Sequence, residues 1–478
     1  MNFPDHKTKI VCTIGPACEP VETLEAMIRA GMNVARLNFS HGDVAVHQRA
    51  VENIRKASLN TQRRVAIMAD LPGPKIRIGK VANEPLMLNP GDALVLTSED
   101  IVGDGQRVSV SLPQLTQVLN VGDKLFINDG LIHMQVIEVD GQDAKCQVLV
   151  GGELRSRKGL NFPGIDLGVN AFTEYDRQCL KAALELGVDA VSQSFVATPE
   201  DVLAVRSEAE ALGYSPFIIS KIERAEALKC IDEILAVSDG VMVARGDLGV
   251  EIPIEEIAIV QKQLTEKANR LGKPVITATH MLDSMMEQKR PTRAEATDVA
   301  NAILDGTDCV MLSGESAMGK FPVESVEMLA SIARATEPHH QIDRLTKALS
   351  AYRHDDAVNI IDLIALSVQR TLECVNPVAV VCPTRSGATA RNVARFRPSV
   401  PITVFTTNEC TCQALQFTYG VEATLVEKEY GDWSDFTRQW LQRQGLGSGL
   451  AILTQGPSPE NPQGNHRMEI LELNHNGV

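Results

Sequence analysis

Short apolar runs alternate with longer stretches in which apolar residues recur every three or four positions, and this alternation organises most of the chain. The runs "TKIVCTIG", "NVARLNFS", "VAIMAD", "AVSQSFV", "FIISKI", "GVMVAR", "PVITAT" and "CVMLSG" are near-continuously apolar, which predicts strands buried on both faces. Between them, "VETLEAMIRAG", "AEALKCIDEILAVS" and "PIEEIAIVQKQLTEKANRLG" have helical periodicity. Eight such strands in strict βα order predict a closed (β/α)8 TIM barrel, with an open doubly wound sheet as the rival arrangement.

The alternation fails once. From residue 71 to 167 the helical periodicity disappears, and "LNPGDALVLT", "NVGDKLFINDG" and "LIHMQVIEVDGQDAKCQVLV" read as hairpins with Gly-Asp and Asp-Gly turns. An all-β lid domain inserted after the third barrel strand is expected, entered through "DLPGPKIR". There an apolar run meets Asp70, two prolines around a glycine, and then Lys75 and Arg77; proline and glycine at this density end a strand. Beyond "PHHQIDRLTKALS", the runs "VAVVCPT", "PITVFTT", "VEATLVE", "LAILTQG" and "HRMEILEL" predict a smaller open-sheet α/β domain. The expected division is a barrel over 1–70 and 168–340, an inserted β-domain over 71–167 and a C-terminal α/β domain over 341–478.

Composition narrows the class. A chain of 478 residues exceeds one ordinary core, and 44% hydrophobic with 22% charged residues is a globular balance. No run reaches about 18 apolar residues, and the start lacks the basic and apolar regions of a secretion signal, so a cytoplasmic protein without membrane contact is expected. The formal charge of -15 argues against a nucleic-acid or anionic-membrane partner. An anionic substrate would need a local basic cluster set against that field. The ten cysteines form no CxxC pair, and only Cys410 and Cys412 fall close together, which suits reduced thiols better than a disulfide framework or a zinc site.

Barrel enzymes place reacting groups where strands end at the C-terminal face. Here those ends carry Arg36, Asn38, Ser40 and His41; Asp70; Ser194; Lys221 and Glu223; Arg245 and Asp247; Thr279 and His280; Ser313 and Glu315. Any strand end meeting water is polar, but charges of both signs converge where a charged ligand compensates them. Glu223 and Asp247 suit a shared divalent ion such as Mg2+, with ion pairs to Lys221 and Arg245 as the plainer alternative. The turn in "ARGDLGVEIP" offers backbone N–H groups to a carboxylate or phosphate, and Arg36 with Lys221 would clamp a phosphorylated substrate. Phosphoryl transfer needs little else from a protein. No Walker loop "GxxxxGK[ST]" occurs, so a nucleotide would be held in another way.

The phrases "KIVCTIGPA", "AGMNVARLNFSHG", "KGLNFPG", "SKIERAEA", "DGVMVARGDLGVEIP", "GKPVITATHML" and "RPTRAEATDVANAILDGTDCVMLSGESAMGKFPVES" resemble the pyruvate kinase family, from residue 7 to the end. The resemblance implies glycolytic phosphoryl transfer from phosphoenolpyruvate to ADP, giving pyruvate and ATP. It implies Lys221 and Arg36 on the phosphoryl group, Mg2+ or Mn2+ on Glu223 and Asp247, and the substrate carboxylate at the backbone of Arg245, Gly246 and Asp247 with the Thr279 hydroxyl, Ser194 being beside them. A water and hydroxyl relay near Thr279 would protonate the enolate. ADP, with a second Mg2+, would meet His41, Arg77, Lys158 and Asn38 between barrel and lid.

Two positions depart from the family pattern. His280 replaces the usual glutamine, which either alters a pH profile or only repacks. Members that need K+ hold it with residues matching Asn38, Ser40, Asp70 and the Leu71 carbonyl and have glutamate at Lys75, so this chain resembles a K+-independent bacterial type with the Lys75 ammonium supplying charge in place of the ion, the plainer alternative being a solvated hinge residue. In "PTRSGATAR", the resemblance implies a phosphorylated allosteric effector at Thr384, Arg385, Ser386, Gly387 and Thr389, although a helix cap explains the same residues. It also implies a homotetramer, for which "VNIIDLIALSVQRTL" is a candidate interface and equally a core helix. The rival functions are a catalytically silent metabolite sensor of this fold, or a metal-dependent barrel lyase or aldolase acting on a keto acid.

Overall fold

The structure is a computed structural model, and it describes residues 5–128, 130–340, 359–456 and 465–473. Three strands, β1 (Lys9–Thr13), β2 (Met32–Asn38) and β3 (Ala66–Leu71), precede an insertion. The insertion carries β4 (Leu86–Leu88), β5 (Ala93–Thr97), β6 (Arg107–Ser109), β7 (Lys124–Ile127), β8 (Ile132–Asp140), β9 (Asp143–Val150), β10 (Gly152–Leu154) and β11 (Leu160–Asn161). The series resumes with β12 (Ala190–Gln193), β13 (Phe217–Ile222), β14 (Gly240–Ala244), β15 (Val275–Ala278) and β16 (Cys309–Leu312). These eight outer-series strands close in the order β1-β16-β15-β14-β13-β12-β3-β2, all pairings parallel. The expected closed barrel therefore forms, and the open doubly wound sheet does not.

Alternation along each strand explains the apolar runs. Val11, Val34, Met68, Ile219, Met242 and Met311 meet inside the barrel, while Ile10, Cys12, Ala35, Ile67, Val191 and Val310 pack outward on the helices. A strand buried on both faces has no solvated side on which to show a polar alternation. The helices start where capping chemistry predicts: Thr173, Thr198 and Thr292 each form a capping box with an acid three residues on.

The insertion folds around its own apolar core, which includes Ile78, Leu94, Leu125, Ile132 and Val148. Its main sheet has the order β11-β7-β8-β9-β5-β6, and β4 pairs with β10. One helical turn, Leu115–Val118, interrupts the otherwise all-β insertion. The C-terminal sheet comprises β17 (Ala379–Pro383), β18 (Ile402–Thr406), β19 (Val421–Leu425), β20 (Gly449–Gln455) and β21 (Arg467–Leu473), ordered β19-β18-β17-β20-β21 with only the last pairing antiparallel. The start of the stretch "PHHQIDRLTKALS" is described through His340, and the rest lies outside the described residues. Among the described residues no helix is long and apolar enough to cross a membrane, and all ten cysteines are free thiols.

The C-terminal unit seals the N-terminal mouth of the barrel. Phe417 joins the barrel's inner core and stacks on Phe217, with ring centroids 5.5 Å apart. Around it, the Asp308 carboxylate accepts from Arg397 at 2.7 and 3.0 Å and from the N–H groups of Tyr419 at 3.0 Å and Val275 at 3.1 Å. Arg397 also covers the Tyr419 ring at 4.9 Å and donates to Asn269 Oδ1 at 2.9 Å. Removing one partner of a buried pair strands the other's charge. Asp308→Ala is expected to cost about 3–5 kcal/mol in denaturant unfolding, whereas Glu287→Ala, which breaks an exposed pair with Lys320, should cost less than about 1 kcal/mol. Equal losses would disprove the assignment of Asp308 as the pin of this junction.

Candidate active site

Strand parity selects the side chains at the C-terminal rim. Residues two apart on one strand share a face, so Arg36 and Asn38, Ser192 and Ser194, and Lys221 and Glu223 each project together. Register then aligns neighbouring strands: Asn38 and Ser192 both pair with Asp70. Asp70 is 2% exposed and lies at the centre of a charged cluster. Arg36 Nε donates to Asp70 Oδ2 at 2.9 Å, Nη2 bonds the same oxygen, and Nη1 donates to Thr13 Oγ1 at 2.8 Å. Ser192 Oγ donates to Asp70 Oδ1 at 2.7 Å.

Lys221 joins the same cluster from the next strand. Its Nζ donates to Ser194 Oγ at 2.6 Å and lies 3.2 Å from Asp70 Oδ1 and 2.9 Å from Glu223 Oε1. Ser194 Oγ in turn donates to the Leu71 carbonyl at 2.7 Å, and Glu223 Oε2 accepts the Phe195 N–H at 2.8 Å. Burial alone would raise the Asp70 carboxyl, but Arg36, Lys221 and Ser192 outweigh it and hold the pKa down at about 2. Burial would likewise strip the Lys221 proton, yet Asp70 and Glu223 keep the ammonium charged well above the usual lysine range. Burial raises the Glu223 carboxyl, and Asp247 adds like-charge repulsion against the attraction of Lys221.

Glu223 and Asp247 are therefore two neighbouring carboxylates whose mutual repulsion a divalent cation would relieve. Among the described residues no group of three His, Cys, Asp or Glu side chains forms a metal site. Two carboxylates still fit Mg2+, which keeps several positions for water and substrate phosphate oxygens. Asp247 is a quarter exposed, and Lys75 Nζ lies 3.8 Å from its Oδ1.

The β14 and β15 ends are built differently. The helix Arg245–Glu251 starts directly after β14. The Arg245 guanidinium is committed to structure: it donates to the carbonyls of Ala278 at 3.1 Å and Thr279 at 2.7 Å and to Asp298 at 2.7 Å. Thr279 Oγ1 donates to the Ala278 carbonyl at 2.6 Å and accepts the Gly246 N–H at 2.8 Å. Phe195, Thr279 and His280 have φ of 58°, 68° and 53°, so two rim turns hold non-glycine residues in the left-handed region. His280 is exposed. Glu315 does not face the cluster: its oxygens accept the N–H groups of Leu282 at 3.0 Å and Ser313 at 2.8 Å, tying down the loop after β16.

The remaining candidates lie around this centre. Asn38 Oδ1 accepts the Ser40 N–H at 3.1 Å, while Ser40 and His41 are exposed. Arg77 donates to the Arg157 carbonyl at 2.9 Å within the insertion, and the Lys158 carbonyl accepts from Ile78 at 3.0 Å. A cleft of about 40 Å³ separates insertion and barrel, lined among others by Pro74, Lys75, Gly159, Phe195, Arg224 and Glu251. In the C-terminal sheet, Thr384 Oγ1 accepts the Gly387 N–H at 3.1 Å, Ser386 Oγ accepts the Ala388 N–H at 3.4 Å, and the Arg385 carbonyl accepts from Thr411 at 2.7 Å. Gly387 takes φ 80°, and Thr389 lies in the helix Ala388–Ala394. Thr13 and Ser192 were not among the sequence candidates, although Thr13 is the polar end of "KIVCT" and Ser192 shares parity with Ser194. Asp298 had no local signal, since it sits inside a helix.

The barrel-domain model of pyruvate kinase matches residues 5–326, and the alpha/beta-domain model of pyruvate kinase matches residues 362–470. The chain belongs to the pyruvate kinase family. A pyruvate kinase from Thermococcus litoralis is 43% identical over 99% of this chain and 100% of its own length. One from Geobacillus stearothermophilus is 47% identical over 87% of this chain and 71% of its own length. The crystal structure of a pyruvate kinase from Cryptosporidium parvum superposes with a TM-score of 0.91 at 35% identity, covering 98% of this chain and 97% of that one. As a pyruvate kinase the protein is a phosphotransferase.

Glu251 supplies a pH test of the cleft. Burial and the nearby Glu226 raise its carboxyl from 4.5 to about 7, against Arg224 and the N–H groups of Ala225 and Gly164. A raised carboxyl makes the folded state hold more protons than the unfolded one, so its stability contribution is complete at low pH and is lost as pH rises through about 7. Glu251→Gln should remove that loss. Relative to the parent, the variant should gain on the order of 2 kcal/mol between pH 5 and pH 8, read as a widening difference in Tm; parallel Tm profiles would contradict it.

Proposed function

We propose that this pyruvate kinase transfers the phosphoryl group of phosphoenolpyruvate to ADP at the β2, β3, β12 and β13 rim. The observation that carries the reading is the buried cluster of Arg36, Asp70, Lys221 and Glu223, joined by contacts of 2.9 to 3.4 Å. The bond from phosphorus to the enolate oxygen breaks, a bond to a terminal oxygen of ADP forms, and the enolate carbon takes a proton. Lys221 and Arg36 face the phosphoryl oxygens with charge already in place, so they need little reorganisation as the bond breaks. Asp70 and Ser194 hold the lysine where it points. Glu223 and Asp247 would hold Mg2+, or Mn2+, which supplies charge neutralisation at the phosphate and enolate oxygens.

The short helix after β14 would receive the substrate carboxylate at the Asp247 N–H and at the Gly246 N–H, which would exchange its present acceptor, Thr279 Oγ1 at 2.8 Å, for the carboxylate, with Arg245 as the strut that aims them. Thr279 has one hydroxyl shared between the Ala278 carbonyl and the Gly246 N–H, which suits it to pass a proton toward the enolate carbon. Closing the insertion over the cleft would bring Arg77 and Lys158 toward a nucleotide at Asn38 and His41 and exclude water from the reacting phosphoryl group. Lys221→Met should retain its circular dichroism spectrum and lose about 10²–10³-fold in kcat in a coupled assay. Undiminished turnover would sink the site, and carbon–carbon cleavage or metabolite binding without ATP formation would favour the lyase or the silent sensor.

The Lys75 ammonium lies 3.8 Å from Asp247, on the metal side of this centre and not against Asn38, Ser40, Asp70 or the Leu71 carbonyl, so what supports K+ independence is a fixed positive charge beside the proposed metal site rather than occupation of the expected K+ position. Activity without K+ is expected, and Lys75→Glu should create a K+ requirement; strict K+ dependence of the unaltered enzyme excludes the substitution. The loop of Thr384, Arg385, Ser386, Gly387 and Thr389 is proposed to take a phosphorylated effector. In the same assay, a panel of sugar phosphates and AMP should include at least one that lowers the KM for phosphoenolpyruvate. A homotetramer is proposed from the exposed Ile360 and Leu363 on the helix Ile360–Leu372, whose opposite side packs on the C-terminal sheet; sedimentation at a monomer mass would refute it.

A further inference from the structure

A second charged site lies far from the rim, where the helix Ala388–Ala394 of the C-terminal unit meets the loop that leads into β15. It is a cavity of about 10 Å³ lined by Lys273, Arg391, Arg395, Thr418, Asn269 and Asp308 together with Gly272 and Pro274. That volume accommodates roughly one water or one monatomic ion.

The charges around it do not balance. Asp308 is already paired with Arg397, and Arg395 with Asp362 at 2.8 Å. Asp239, which acts on Lys273 and Arg391 only at longer range, is paired with Arg206 at 3.0 Å. Lys273 Nζ donates to the Ser238 carbonyl at 2.6 Å, and Arg391 Nη2 donates to the Ser386 carbonyl at 3.1 Å. Among the described residues neither cation makes an ion pair. Both are part-buried, and that partial desolvation pushes both groups down from their ordinary values. Thr418, 1% exposed, adds a hydroxyl that has no hydrogen-bond partner among the described residues.

A cation that has lost part of its hydration and has no carboxylate partner favours an anion beside it. Here two cations and one hydroxyl converge on a space the size of an ion, and the local carboxylates are committed elsewhere. We propose that this cavity is a halide site, with a single chloride ion held between the Lys273 ammonium, the Arg391 guanidinium and the Thr418 hydroxyl. A polyatomic oxyanion is too large for the space. A halide needs only that the two long side chains draw back slightly.

The position gives the ion a mechanical consequence. Arg391 hangs from the Ser386 carbonyl, within the loop assigned to the effector, while Lys273 stands two residues before β15 and Thr418 one residue after the Phe417 plug. A bound chloride thus fastens the C-terminal unit to the closed mouth of the barrel, and its stabilising effect should be saturable, unlike general screening.

The test uses the intact enzyme. Crystals soaked in sodium bromide should show an anomalous scattering peak in the cavity, within contact distance of Lys273, Arg391 and Thr418. In solution, Tm should rise saturably with sodium chloride over sodium gluconate at matched ionic strength. That rise should vanish in Lys273→Met and shrink in Thr418→Val, which keeps the side-chain shape and serves if the first variant folds poorly. Rescue of Tm by phosphate in gluconate buffer, equal melting in the two salts, or a water in place of bromide would each overturn the proposal. Because none of these readouts is enzyme activity, their failure is separate from failure of the phosphoryl-transfer reading.

Discussion

Asp70 is the constraint on which the centre depends. A carboxylate that is 2% exposed must be compensated, and here it is compensated twice, by Arg36 from β2 and by Lys221 from β13. Neither cation can move away without stranding the carboxylate. The pairs also bind three strand ends into one rigid rim, and the serines of β12 complete the donors and acceptors. The two cations are therefore preorganised by structural ion pairs, so the charges proposed to act on the phosphoryl group are also those that hold the rim together.

The other two units act on this rim from opposite ends. The insertion enters at Pro72–Pro74, directly after β3 ends at Leu71, so any movement of that unit is hinged two residues beyond the cluster's centre. At the far end Phe417, Asp308 and Arg397 close the barrel's other mouth. The barrel is left with one accessible face, the one where the strand ends gather. Glu251 and Asp247 lie on the same short helix, so the cleft wall and the carboxylate pair are parts of one element.

Much of the fold was legible because it is written in short-range pattern. Runs such as "VAIMAD" and "CVMLSG" are apolar at every position because both faces of the barrel strands are buried, and Gly-Asp turns marked where that pattern ceased. The single turn at Leu115–Val118 escaped notice because four residues cannot establish a period. Strand-end chemistry was legible in kind but not in assignment. Arg245 and Glu315 have the same residue types as Arg36 and Glu223, yet one braces carbonyls and the other anchors backbone N–H groups.

By itself the sequence determined the element types, their order, the inserted unit and the pool of polar residues at the rim, because periodicity and turn chemistry depend on near neighbours. Only the tertiary structure decided which charges meet. Asp70 and Lys221 are 151 residues apart along the chain and 3.2 Å apart in space, a contact that exists only because the barrel closes with a particular register. The same closure separated Arg245 from the cations paired with Asp70, and the docking of the C-terminal unit left Lys273 and Arg391 beside a cavity whose one carboxylate, Asp308, is already paired with Arg397. Charge in a sequence has no address until packing assigns its partners, since the free energy of a buried charge is set by distances that no local pattern encodes.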